Sequence, residues 1–142
     1  MEELIHATMS RLAEQVPELR FIDVDLEQLR LEQPPVDFPC ALIDVSRIEY
    51  SSNGQRQQQA EVDMSVTLGF KVLTPESFHV EKECKAQAMQ HYAIIDKVAQ
   101  ALHGFAGATF ARLDRVSITR NANTYPRHYT LHFRTQYTEE FD

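Results

Sequence analysis

From Ala60 to Val72 apolar and polar positions alternate strictly. Ala60, Val62, Met64, Val66, Leu68, Phe70 and Val72 fall on one side, and Glu61, Asp63, Ser65, Thr67, Gly69 and Lys71 on the other. A period of two over 13 residues predicts one long strand, with one face in a core and the other in water. Such a strand needs neighbours on both edges and a cover on its apolar face, so it implies a sheet with helices packed against one side.

The surrounding pattern supplies those parts. Leu4, Ile5, Met9, Leu12 and Val16 recur at helical spacing and stop at Pro17, which predicts a helix over Glu2–Val16. Phe21, Ile22 and Val24 read as a short strand, placed at an edge because Asp23 and Asp25 interrupt it. Pro34, Pro35 and Pro39 make Leu29–Pro39 a loop. Cys40–Tyr50 returns to strand, but Ala41, Ile43 and Val45 share one parity while Leu42, Ile48 and Tyr50 share the other. That change around Ser46 predicts a bulge or twist, or partial cover on both faces.

Ser51–Gln59 is a run of nine polar residues with an Asn53–Gly54 turn signal, read as a long, mobile hairpin tip open to contact. Thr74 and Pro75 end the long strand, and Glu76 or Ser77 starts a second helix of about 25 residues. Its predicted apolar face is Ala86, Met89, Ala93, Ile94, Val98, Ala101 and Leu102, and Gly104 stands where a C-terminal cap is expected. Phe110–Arg120 and His128–Thr138 form a closing hairpin turned at Asn121–Pro126. Tyr129, Leu131, Phe133 and Tyr137 lie on its inner face. The expected fold is a single α+β domain spanning 1–142, with an antiparallel or mixed sheet of four to five strands and two main helices on one face.

Composition leaves that picture intact. The chain has 142 residues, 43% hydrophobic and 25% charged, within the ordinary globular range. It contains no apolar run long enough for a membrane span, and its acidic, amphipathic start is unlike a secretory signal. Cys40 and Cys84 lack any CxxC or paired-His spacing and read as buried thiols in a reducing compartment.

Charge changes the picture more. The net charge is −7, and residues 1–50 hold eleven acids against four bases, a balance of −7, so the remainder is neutral. Within that remainder Arg112, Arg115, Arg120, Arg127 and Arg134 face Asp114 alone over residues 112–134. These charges are either solvated faces or the two halves of a head-to-tail contact between copies.

Candidate chemistry is sparse. No histidine sits in a nucleophile motif, and the four glycines form neither GxxxxGK nor GxGxxG. His128 and His132 share a strand face, as solvent-facing positions or as two metal ligands awaiting a third. Glu61 with Asp63, and Asp23 with Asp25, read as ordinary exposed acids. Arginines interleaved with Tyr125, Tyr129, Phe133 and Tyr137 suggest a nucleic-acid platform. However, the aromatics alternate as a core face does and the chain is acidic, so no sequence-specific nucleic-acid partner is expected. No cofactor, metal or enzymatic activity is expected. A pocket between the second helix and the sheet, furnished by His91 or Cys84, remains the alternative for a small enzyme or ligand-binding domain.

The order of elements resembles the tail terminator, or tail-completion, proteins of long-tailed bacteriophages and prophages. The resemblance rests on Phe38-Pro39-Cys40-Ala41-Leu42-Ile43 leading into a strand. It also rests on Ala101-Leu102-His103-Gly104 closing a helix and on the alternating aromatics of Tyr129–Tyr137, within Ala99–Tyr137. It implies a structural protein of the virion tail, assembled in the bacterial cytoplasm and not secreted. Such a protein forms a homo-oligomeric, hexameric ring at the head-proximal end of the tail tube and contacts tube and neck proteins. Another neck or minor tail component is the nearest alternative. The expected contact residues are Asn53, Gly54, Gln55, Arg56 and Gln57 at the hairpin tip, with Arg112, Arg115, Arg120 and Arg127 in the C-terminal region. An acidic lumen would let DNA pass without adhering.

Overall fold

The computed structural model describes residues 1–71, 78–121 and 127–141, with backbone alone over 78–84. Helix α1 (Glu2–Gln15) precedes strand β1 (Phe21–Val24), a 3-10 turn at Gln28–Arg30, β2 (Cys40–Gly54) and β3 (Gln57–Phe70). Helix α2 (Phe78–Leu102), β4 (Asp114–Asn121) and β5 (Arg127–Glu140) follow. The five strands form one sheet in the order β1-β2-β3-β5-β4. All neighbours are antiparallel except β1 and β2, which run parallel, so the sheet is mixed.

The alternation of β3 builds the core. Ala60, Val62, Met64, Val66, Leu68 and Phe70 are all buried, alongside Ala41 and Ile43 of β2 and Leu131 and Phe133 of β5. Both helices cover this face. Thr8 Oγ1 of α1 donates to the Leu4 carbonyl at 2.7 Å and lies 3.7 Å from Met64 Sδ. On α2, His91 stacks on Phe70 with ring centroids 4.1 Å apart, and Val98 and Leu102 are fully buried. Arg11 Nε ties the helices together through the Ala101 carbonyl at 2.9 Å. Gly104, at φ +82°, ends α2 in the left-handed conformation, as its position predicts.

Three expectations are corrected. The second face of β3 is not uniformly wet: Ser65 and Thr67 are buried, as are Cys40 and Leu42 of β2. A parallel β1–β2 pair requires a crossover, and here it runs over that face, bringing the Leu29 methyls against Gly69. Partial cover on both faces and a bulge therefore coexist. The β2–β3 register shifts between Val45 and Arg47, leaving Ser46 unpaired and restoring Ile48 to the core side opposite Val62.

The hairpin tip is the second correction. Ser51, Ser52 and Gly54 stay paired with Gln59, Gln58 and Gln57, so only Gln55 and Arg56 form the turn. Arg56 in the turn takes a positive φ of 61°, while Gly54 of the Asn-Gly signal also has a positive φ, 141°, but stays paired in the strand. Third, the expected face of α2 holds at Val98, Ala101 and Leu102, with Ile94 half-buried, but His91, Ile95 and Ala99 are buried beside them, whereas Ala86, Met89 and Ala93 face solvent. Alanine and methionine suit an exposed helix as well as a buried one, so periodicity alone misplaced the face at Ala86, Met89 and Ala93. The expected helix start at Glu76 or Ser77, the turn residues 122–126 with Tyr125, and Val72 lie outside the described residues, as does the Cys84 side chain.

Candidate interaction surfaces

The candidate contact residues fall into two separate places. At the β2–β3 turn, Arg56 Nε donates to the Phe141 carbonyl at 2.7 Å, and the Phe141 amide returns a bond to the Arg56 carbonyl at 2.7 Å. Gln57 Nε2 donates to Glu140 Oε1 at 2.9 Å, and Asn53 Nδ2 to Gln59 Oε1 at 3.5 Å. With Gly54 and Gln55 between them, these residues form a turn laced to the end of β5. Hydrogen bonds on both sides of the turn make it a defined protrusion, with Phe141 half exposed beside it.

The arginines occupy the other end of the sheet. Arg115 and Arg120 lie on β4, the outermost strand, and Arg112 just precedes it; all three are exposed. None forms an ion pair among the described residues. Arg127 belongs elsewhere: it starts the inner strand β5, lies half-buried and sits 5.6 Å over the Tyr129 ring. Arg134 is also spoken for, since its Nε donates to Asp63 Oδ1 at 3.0 Å. That bond raises the Arg134 pKa, with the Asp63 charge adding to it. Arg47 and Glu49 pair beside them, so Glu61 and Asp63 belong to a charged patch on the second face. The tip pairs at Gln57↔Glu140 and β4 stops at Asp114↔Arg134, six residues along β5, or roughly 20 Å away.

β4 differs from the other strands because every residue in it is exposed. Val116 and Ile118 keep about half their surface in solvent, 50% and 48%. Ile118 pairs with buried Leu131 and so lies on the helix side of the sheet, beyond the reach of α2. His103 joins the end of α2 to the start of this strand, its Nδ1 accepting the Arg115 amide at 3.1 Å. Sequence reasoning placed Val116 and Ile118 in the hairpin but missed their exposure. β-branched residues look alike in edge and central strands.

At the opposite margin lies β1. Asp23 Oδ1 accepts the Val24 amide at 2.7 Å and Asp25 Oδ1 accepts the Glu27 amide at 2.8 Å. Neither carboxylate meets a cation among the described residues. Glu27 pairs with Arg30 at 3.2 Å in the crossover. A cleft of about 640 Å³ opens between this crossover and the sheet, with Asp25, Asp44, Leu42, Thr67 and His128 among its walls. His132 contacts Thr119 Oγ1 at 3.4 Å instead of sharing a ligand with His128. Among the described residues, no three His, Cys, Asp or Glu side chains converge as a metal site.

Unpartnered buried polar atoms occur on the middle of α2 and at the start of β5. His91 Nδ1, Gln87 Oε1 and Arg127 Nε are all buried without a hydrogen-bond partner. Burial lowers the His91 pKa, and the nearby Arg127 charge lowers it further. Cys40 is buried, and desolvation pushes its thiol up to about 11, so it is a poor nucleophile.

No protein-family model matches the sequence, and no curated protein matches it. Among solved structures, a chain described as "Virion of native gene transfer agent (GTA) particle" aligns over 96% of this chain and 92% of its own, with a TM-score of 0.47 and 12% identity. A similarity of that size carries no argument about function. Among the described residues, no helix is long and apolar enough to cross a membrane.

Proposed function

We propose that this protein is a structural component of a phage-type tail, a tail terminator that forms a ring at the head-proximal end of the tube and joins it to the neck. The carrying observation is the distribution of charge across one sheet: Asp23 and Asp25 stand at the β1 margin, and Arg112, Arg115 and Arg120, none in an ion pair among the described residues, stand at the β4 margin. A subunit with unlike opposite margins is suited to heterologous contacts, which close into rings when the rotation allows. The resemblance in element order supports the same reading. The protruding turn at Asn53–Gln57 is the natural contact for a tube or neck protein, because it extends beyond the body of the sheet. Carboxylates lining a lumen would keep DNA from adhering.

Mass measurement in solution and negative-stain imaging, alone and with tube protein, test this reading. Rings or closed oligomers are expected. A protein that remains monomeric at high concentration and leaves tube length unchanged would sink it.

The unpartnered His91, Gln87 and Arg127 atoms favour a second reading, a small ligand-binding domain with its site at the helix–sheet junction. A small molecule released on denaturation of purified protein, and lost in a His91→Phe variant, would select that reading.

A further inference from the structure

We propose that two copies of this chain pair through the sheet face turned away from the helices, about a two-fold axis that runs along the strands. The contact uses a face where the ring reading uses margins, so it neither rests on that reading nor excludes it.

Register supplies the first reason. Arg47 of β2 pairs with Asp63 of β3, Asp63 with Arg134 of β5, and Arg134 with Asp114 of β4. Charge therefore alternates along one row across four strands, positive at Arg47 and Arg134 and negative at Asp63 and Asp114. Reversing a row of this kind exchanges its signs. A copy turned over about an axis parallel to the strands lays its Asp114 over Arg47 and its Arg134 over Asp63, so all four positions meet opposite charge. An axis along the row would set each residue over its own copy, like on like, which is costly. The ladder thus selects both the partner, a second copy of this chain, and the direction of the axis.

The neighbouring rows agree. Toward the crossover, Asp44, Ser65, His132 and Ser117 stand level, and toward the β2–β3 turn Glu49, Glu61, Gln136 and Ala111 do. Reversal opposes Asp44 to Ser117, Ser65 to His132, Glu49 to Ala111 and Glu61 to Gln136, so no like charges come together. Asp114 forms no ion pair among the described residues. Asp63 and Arg134 keep 39% and 59% of their side-chain surface exposed beside their own 3.0 Å bond. Carboxylates and guanidinium groups have acceptors and donors to spare after one such bond.

Shape supplies the second reason. The crossover stands on one half of this face, where Leu29 lies against Gly69 of β3. The cleft of about 640 Å³ is the step beside it, with Asp25 and Leu29 on the raised side and Asn121, His128 and Thr130 on the low side. The same rotation places each crossover over the partner's low half, so the two crossovers lie side by side. Leu26 and Leu31, which are 73% and 56% exposed, then have a protein surface to meet. Sheets packed face to face with aligned strands stand about 10 Å apart, which leaves room for one layer of chain between them. Four strands at about 4.8 Å and the rows from Gly69 to Glu61 at about 6.8 Å give a footprint of roughly 600 Å² per copy. The pair then exceeds the ~1,000 Å² that a specific interface needs.

The test uses the full chain as wild type, Arg47→Glu, Asp114→Arg and the double variant Arg47→Glu/Asp114→Arg. Sedimentation equilibrium reads the dimer, and circular dichroism confirms each fold. Each single change sets two like-charge contacts into the pair and is expected to weaken association about tenfold or more. The double variant should associate as wild type does, because the two-fold axis opposes the exchanged charges again. Arg115→Glu/Arg120→Glu alters only the β4 margin and should still leave a dimer. If position 114 does not tolerate arginine, Asp63→Arg with and without Arg134→Asp makes the same comparison. A wild type found only as monomer or as single rings overturns the pairing, and single rings leave the ring reading standing. Single variants that associate as wild type does, or a folded double variant that stays apart, overturn it as well.

Discussion

Gly69 shows how a single position can be fixed by what crosses it. A Cβ there would stand 2.8 Å from Cys40 Sγ and 3.2 Å from the Leu29 methyls, in a region where the crossover already lies against the sheet. Gly69→Ala is therefore expected to destabilise the fold by about 1–3 kcal/mol, as overpacking does. Urea unfolding should show a lower midpoint with an unchanged slope. His91 makes a pH-dependent contribution of definite sign. Its folded pKa is lowered by burial and by Arg127, so the unfolded chain takes up the proton first as pH falls through about 6.5. Stability should fall as pH drops through that value, with a slope of up to about 1.4 kcal/mol per pH unit, and level off below the folded pKa. His91→Phe, which keeps an aromatic ring available to Phe70, should flatten that part of the profile in urea titrations repeated between pH 5 and 8. An unchanged profile would assign the dependence to another group.

At the scale of elements, the parity change in β2 is the most informative local feature. Ser46 is the extra residue, and its Oγ donates to the Asp63 carbonyl at 3.1 Å. Deleting Ser46 would force Ile48 and Tyr50 to the opposite face or shift the whole strand, at a cost of about 2 kcal/mol or more. Ser46→Ala removes one hydrogen bond at an exposed position and should cost no more than about 1 kcal/mol. Thermal unfolding of the two variants distinguishes a required bulge from a dispensable contact. The same strand shows how much local pattern could reveal. Both the bulge and the cover on the second face were legible in the order of Leu42, Ser46 and Ile48. The turn was not, because Asn53–Gly54 is a strong turn signal only when the flanking register agrees. Here β5 extends to Glu140 and holds Gln57–Gln59 in the sheet, which moves the turn to Gln55–Arg56.

For the whole molecule, charge placement matters more than total charge. The acidic first third and the arginines near the C-terminus were visible as segments, but their separation to opposite margins follows from the strand order. Assembly through those margins should weaken steadily with added salt, since screening shortens the range of exposed charges to roughly 10 Å at 0.1 M. Light scattering across a salt series would show it, whereas association strengthened by salt would point to an apolar contact through Met89 and Tyr92 on α2. Of the candidate contact residues, Arg112, Arg115 and Arg120 share one margin, while Arg127 and the tip residues do not join them. One-dimensional spacing cannot express that, because β4 and β5 are consecutive in the chain but occupy different positions in the sheet.

Sequence alone determined the two helices, the long buried strand, the bulge and the cap at Gly104, since each depends on a period of two or 3.6 or on local backbone preference. Tertiary structure decided that β1 runs parallel to β2, that the crossover covers part of the second face, that α2 buries His91 and not Met89 or Ala93, and which charges stand at each margin. Those outcomes depend on pairings between residues far apart in the chain, whose energies exist only once the strands have met.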